Sequence, residues 1–319
     1  MSHNQSFFKQ KLIIPIGLLL IVGLLITNKV TSNPSTFLWE VRLKSAPEKV
    51  AYLLGSIHIG SPEFYPLNSH IMNAWALSDI LAVELNITDI LSDFSNMGMD
   101  IILKLVNPFK KLSDQLPPEL FARVKKHLLL GLDELDLNDL GLDESIIEMY
   151  TPLMVALQLQ IGSIDPESIP LGIDIHFINL ANQEQKPIIE VESFERQILA
   201  LETINENIIQ YIEGLLEEIE KDETSPDNDY QFMLQVWKKG DLKSMEKFIN
   251  TPMSKDPQID SQLKNALIFS RNIEMTAKIE ELILLPETHF IVLGAGHFIG
   301  ANSIIELLET SNKYNIKRW

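Results

Sequence analysis

The chain has 319 residues, 45% of them hydrophobic and 22% charged, which suits a globular protein with one large domain or two small ones. A formal net charge of -18 argues against a nucleic-acid partner, because phosphate binding needs clustered Lys and Arg. The absence of cysteine excludes disulfides, thiolate zinc sites and thiol nucleophiles.

The first feature in chain order is "FFKQKLIIPIGLLLIVGLLITNK", in which Lys9 and Lys11 precede an uncharged run from Leu12 to Asn28. The run is a little shorter than the roughly 20 residues that span a bilayer squarely. Residues 1–33 are therefore expected to be a hydrophobic helix serving as a signal anchor, or a signal peptide cleaved near Val30-Thr31-Ser32. Positive charge ahead of the run predicts translocation. The globular body would then be membrane-anchored outside the cytoplasm, or secreted or periplasmic after cleavage.

"FLWEVRL" (37–43) alternates as a half-buried strand does, and the apolar "KVAYLLGSIHIG" follows closely enough for a hairpin. "NSHIMNAWALSDILAVEL" predicts a helix leading into a buried strand that ends near Glu84. Residues from about 91 to 170 are read as a first helical insertion, with a cap-like Ser113 and with Pro152 near a first turn. A helix from about Asp174, a short strand "PIIEV" and a polar turn into another helix come next. Residues 198–285 form a second helical insertion, interrupted by the acidic "KDETSPDNDY". Two acidic blocks, 133–148 and 213–229, are expected to be solvated helix faces and loops. "THFIVLGAGHFIGANSIIELLE" reads as strand, glycine-rich turn and helix, and "NKYNIKRW" as a terminal edge strand. Few apolar strands separated by long helical stretches predict an α/β domain (α+β being the alternative) over 34–319, built on a central mixed sheet.

One device occurs twice. "LLGSIHIG" and "VLGAGHFIG" are each an apolar strand followed by Gly-x-x-His, giving Gly55/His58 and Gly294/His297. Strand-end loops are where α/β proteins gather functional residues, so neighbouring strands would bring His58 and His297 to one site. Carboxylates would complete such a site as metal ligands or a general base. Glu84 closes an apolar strand, and Glu190 and Glu192 share one strand face, with Glu192 nearer the turn. His289 precedes its strand and is expected at the opposite end of the sheet.

The ordered blocks "LWEV…YLLGSIHIG…LAVELN…GIDIHFINLANQEQKPIIEVESFERQ…VWKKGDLKSM…SRNIEMTAKIEELI…FIVLGAGHFIG…NKYNIKRW" resemble the TraB/GumN family, which includes the Tiki metalloproteases. The resemblance runs from about Phe37 to Trp319. It implies an α/β core like that of erythromycin-esterase-like and haem-binding ChaN-like proteins, and metal-dependent peptide cleavage supported by manganese or cobalt. Carried over by position, it marks Gly55, His58, Glu84, Gly294 and His297, with Asp174, Glu192, Gln197, Arg271 and Asn272 as further members of the site. Ser56 stands where the family commonly has Thr.

Combined with the chemistry of the residues, this predicts a metal-dependent hydrolase acting on a peptide or protein substrate. His58, His297 and Glu84 would hold the divalent ion, Glu192 would be the base or a further ligand, and Arg271 would hold a substrate carboxylate or an oxyanion. Nitrogen and oxygen donors without sulfur suit manganese, cobalt or zinc. The alternatives are a ligand-binding protein of the same fold, with the histidines on haem, or an interaction module on a membrane anchor. The sequence carries no sign of oligomeric state.

Overall fold

The computed structural model describes residues 36–86, 99–132, 144–162, 166–222 and 228–319. The expected N-terminal hydrophobic helix and most of the first acidic block lie outside them. Among the described residues no helix is long and apolar enough to cross a membrane.

The alternating strand β1 (Leu38–Leu43) and the longer β2 (Ala46–Ser56) form the expected antiparallel hairpin, with Leu38 opposite Leu54. Helix α1 (Ser69–Ala76), capped by the Asn68 side chain, leads into β3 (Ile80–Val83). The first helical stretch contains α2 (Met99–Leu105), α3 (Pro118–Leu132) and α4 (Pro152–Gly162). Pro152 opens α4, where its missing N–H costs nothing. Ser113 is not the cap of α3: it lies inside a separate 3-10 turn, Leu112–Asp114, and its N–H donates to Glu148 Oε2 at 3.0 Å. Helix α5 (Ile173–Glu184), strand β4 (Ile188–Glu190) and helix α6 (Phe194–Glu202), capped by Ser193, follow as expected. The second helical stretch is α7 (Ile208–Asp222), α8 (Asn228–Lys238), α9 (Leu242–Ile249), α10 (Pro257–Lys264) and α11 (Ser270–Ile283), with a π turn at Asn265–Phe269 joining the last two. Strand β5 (His289–Gly294), helix α12 (Ile304–Thr310) and strand β6 (Tyr314–Arg318) complete the chain.

The six strands make one mixed sheet in the order β4-β3-β5-β2-β1-β6. The four strands β4, β3, β5 and β2 run parallel, while β1 is antiparallel to β2 and to β6, and β4 and β6 are the two edges. Strand β5, last but one in the chain, inserts between β2 and β3, so the two Gly-x-x-His strands are neighbours, with Ser56 opposite Gly294. All four parallel strands therefore present their carboxyl ends on the same side. His289 is the first residue of β5, not a residue before it, and is fully buried at the amino end, opposite Ala51 and Ile80.

The apolar residues form two principal cores. The larger covers the sheet and is completed by α1, α5, α8, α9, α11 and α12 through residues such as Trp75, Phe177, Trp237, Met245, Ile279 and Leu308. The second lies among helices: Leu120, Val124 and Leu128 of α3 and Val155 and Leu159 of α4 meet Ile212 and Leu216 of α7 and Leu263 of α10. The two helical stretches thus share one core, and the second is not a single insertion, because α8, α9 and α11 pack on the sheet.

Candidate functional site at the carboxyl ends of the parallel strands

Each parallel strand delivers a candidate side chain to this end. Leaving β2, the chain places Ser56 Oγ 2.7 Å from Asp174 Oδ1 and His58 Nδ1 3.0 Å from Asp174 Oδ2. Asp174 is buried in the first turn of α5, whereas 67% of the His58 side chain is exposed. The turn is held by close backbone contact. A Cβ on Gly172 would lie 2.2 Å from the His58 carbonyl oxygen, and one on Gly60 would lie 1.8 Å from that of Leu171. The Gly60 N–H donates to Ser168 O at 2.9 Å and the Ile173 N–H to Ile57 O at 3.1 Å. Glycine is needed at both positions for approach, since neither takes the left-handed backbone.

The second turn mirrors the first. His297, in the 3-10 turn after β5, is buried, and its Nδ1 lies 2.6 Å from the Oδ1 of Asn272. The Asn272 amide donates to Asn302 O at 2.8 Å, which leaves Oδ1 as acceptor and makes His297 Nδ1 the donor. The two motifs also pack on each other: a Cβ on Gly55 would meet Ala295 Cα at 3.2 Å. In β2, the Gly55 carbonyl accepts from Trp237 Nε1 at 2.8 Å.

Glu84 follows β3 and does not reach solvent; it is 8% exposed. Its Oε1 accepts from Gln197 Nε2 at 2.9 Å and from Arg271, and its Oε2 accepts from the Gly294 N–H at 3.3 Å and lies 3.8 Å from His297 Nε2. Glu192, beyond β4, is held alongside by its N–H to Glu84 O. Both its oxygens accept from Arg271, at 2.8 Å from Nε and 2.7 Å from Nη2. Arg271 is 7% exposed and also donates Nη1 to Leu267 O in the π turn, so its fork is spent on protein groups. Glu190 is exposed and accepts from the Asn86 N–H at 2.7 Å.

The charges follow from these contacts. The Asp174 carboxylate, 3.0 Å from Nδ1, favours the protonated imidazole and raises the His58 pKa to about 9. Burial lowers that of His297, to about 4, so it is neutral at neutral pH. Burial would raise Glu84, but positive charge on His297, Arg271 and His58 outweighs it and brings the group to about 2. Above about pH 4 His297 no longer carries that charge, and Arg271 and His58 supply it. Glu84 is therefore ionised at neutral pH.

The structure therefore gathers His58, Glu84, His297, Asp174, Glu192, Gln197, Arg271 and Asn272 at one end of the sheet. A Cβ placed on Gly294 would lie 3.6 Å from Glu84 Oε2, 3.7 Å from His58 Nε2 and 3.7 Å from His297 Cδ2. These groups face a common space without closing on it: among the described residues no three His, Asp or Glu side chains are close enough, as they stand, to hold a metal ion. The donor types still suit a divalent ion: both imidazoles have Nδ1 engaged, which leaves Nε2 as the coordinating atom, and His297 Nε2 lies 3.8 Å from Glu84 Oε2. Three contributors were not singled out in the sequence for the contacts they make. Ser56 stood out in the sequence only as a serine where the family commonly has Thr. Gly172 was signalled only by standing before the Asp174 helix, and Trp237 only by lying in the "VWKKGD" block.

Comparison with known proteins matches residues 37–318 to the TraB/PrgY/gumN family. The chain is 28% identical over 323 aligned positions to metalloprotease TIKI1 of Danio rerio, covering 88% of this chain and 63% of that protein. It is 23% identical over 334 positions to a metalloprotease TIKI homolog of Amphimedon queenslandica, covering 92% and 62%. It is also 22% identical over 264 positions to the uncharacterized protein YbaP of Escherichia coli (strain K12), covering 81% and 87%. The chain thus spans about three-fifths of the length of these metalloprotease relatives. No solved structure matches it. With the match extending from the first strand to the last, the chain belongs to the TraB/PrgY/gumN family.

Proposed function

We propose that this protein is a metal-dependent hydrolase cleaving a peptide or protein, with His58 Nε2, His297 Nε2 and Glu84 Oε2 as the ion's protein ligands. The observation that carries the reading is that His58 Nε2, Glu84 Oε2 and the His297 ring surround the same point beside Gly294, with His297 Nε2 3.8 Å from Glu84 Oε2. The metalloprotease names of the Tiki relatives support the reaction class. A divalent ion there, manganese, cobalt or zinc, would polarise the scissile carbonyl and make attacking water more acidic. Asp174 and Asn272 fix the ring orientation and tautomer of the two histidines. Gln197 and the Gly294 N–H hold Glu84 from either side. Exposed His58 is the side of the site open to substrate. Glu192, both of whose oxygens are on Arg271, acts in this reading by fixing the guanidinium against Glu84.

The test is peptide hydrolysis by the full-length protein with and without added manganese, alongside His58→Ala and His297→Ala. Manganese-dependent cleavage that drops at least a hundredfold in both variants is expected. Cleavage indifferent to manganese and to both substitutions would overturn the proposal.

A further inference from the structure

The two oxygens of Glu84 have separate sets of partners. Oε2 accepts from the Gly294 N–H and lies 3.8 Å from His297 Nε2; Oε1 is held by Arg271 and Gln197. Arg271 cannot withdraw, since Glu192 takes Nε and Nη2 while Leu267 O takes Nη1. Four of the five guanidinium N–H groups are thereby engaged inside the protein, which leaves little of the fork for a substrate. Two carboxylates and one guanidinium form a buried cluster with an excess of one negative charge, and a lone buried carboxylate would be strongly disfavoured.

We propose that Arg271 is the resident counter-cation of Glu84, neutralising it when no ion is bound and weakening its hold on a divalent ion when one arrives. This rests on the metal-site reading above. Arg271 is then an affinity-setting residue, not a catalytic one. A fixed positive charge beside Glu84 repels a second cation, so the ion is taken up against it and released readily. The same charge keeps the ion-free site folded. Ion and arginine are thus partly interchangeable in stabilising Glu84.

The test uses the full-length protein, manganese as the probe, and the double variant Arg271→Met/Glu192→Gln, which removes one positive and one negative charge and leaves the cluster's balance unchanged. Manganese affinity by calorimetry is expected to rise at least tenfold over wild type, and the manganese-induced rise in Tm to be larger. Adding His58→Ala to the double variant should abolish the gain. Arg271→Lys, which keeps the charge, should bind manganese within threefold of wild type. A double variant that binds no tighter than wild type, or a Lys variant that loses binding, overturns the inference while leaving the metal site standing. If neither wild type nor double variant binds manganese, the metal-site reading itself fails.

Discussion

Gly172→Ala places a methyl group 2.2 Å from the carbonyl oxygen and 2.7 Å from the carbonyl carbon of His58. Neither atom belongs to a flexible side chain, so the backbone must part by about 1 Å to restore the ordinary contact distance of about 3.5 Å. Overpacking of this kind costs about 1–3 kcal/mol. Loss of the Ile173 N–H to Ile57 O bond adds about 0.5–1.5 kcal/mol. Gly172 sits at φ -61°, ψ 147°, which alanine adopts freely, so the stiffer unfolded chain returns about 0.4–1 kcal/mol. The balance is a net destabilisation of about 0.5–4 kcal/mol, read by urea unfolding at constant m-value. The same displacement pulls His58 from Asp174, and manganese affinity should fall about 10–100-fold, as when a ligand loses its orienting partner. Gly60→Ala strains the same pair of loops from the other side, against Leu171 O at 1.8 Å. The double variant should therefore cost less than the sum of the two, since one separation makes room for both methyls. A Gly172→Ala protein as stable as wild type, or strictly additive costs, would refute this account of the turn.

Two further outcomes follow from the site. Gly294→Ala adds a methyl at ordinary contact distances of 3.6–3.7 Å from Glu84, His58 and His297, so stability should change by less than about 1 kcal/mol while manganese affinity falls at least tenfold; calorimetry and urea unfolding read the two separately. In the ion-free protein His58 has a folded pKa raised to about 9 from an unfolded value of about 6.5. Its stabilising pair with Asp174 is complete below about pH 6.5 and is lost as pH rises through about 9. His58→Gln should flatten the alkaline part of a Tm-against-pH curve, and wild-type manganese binding, which must displace that proton, should strengthen over the same range. A curve unchanged by the substitution would remove Asp174 as the cause.

The sheet was legible because its signals are local. Alternation in 37–43, the apolar run before Gly55, and the strand–turn–helix pattern around His297 each arise from side chains a few residues apart. The repeated Gly-x-x-His turn and the misplaced carboxylate of Glu84 could be picked out for the same reason. Ser113 misled because a hydroxyl before a helical pattern looks like a cap whether or not the chain makes a separate turn there.

Sequence alone determined which residues end the strands, because burial and turn chemistry are written in neighbours. Only the tertiary structure decided which strands lie side by side: β5 enters between β2 and β3, and so the two histidines meet although 239 positions separate His58 from His297. The tertiary structure also decided that two distant helical stretches share one core. It gave Arg271 two buried carboxylates as partners, and Gly172 a carbonyl to make room for. The physical reason is common to these cases. Ion pairing in a low-dielectric interior and backbone-to-backbone contact depend on distances in space, and nothing in a linear pattern of residue types encodes those distances.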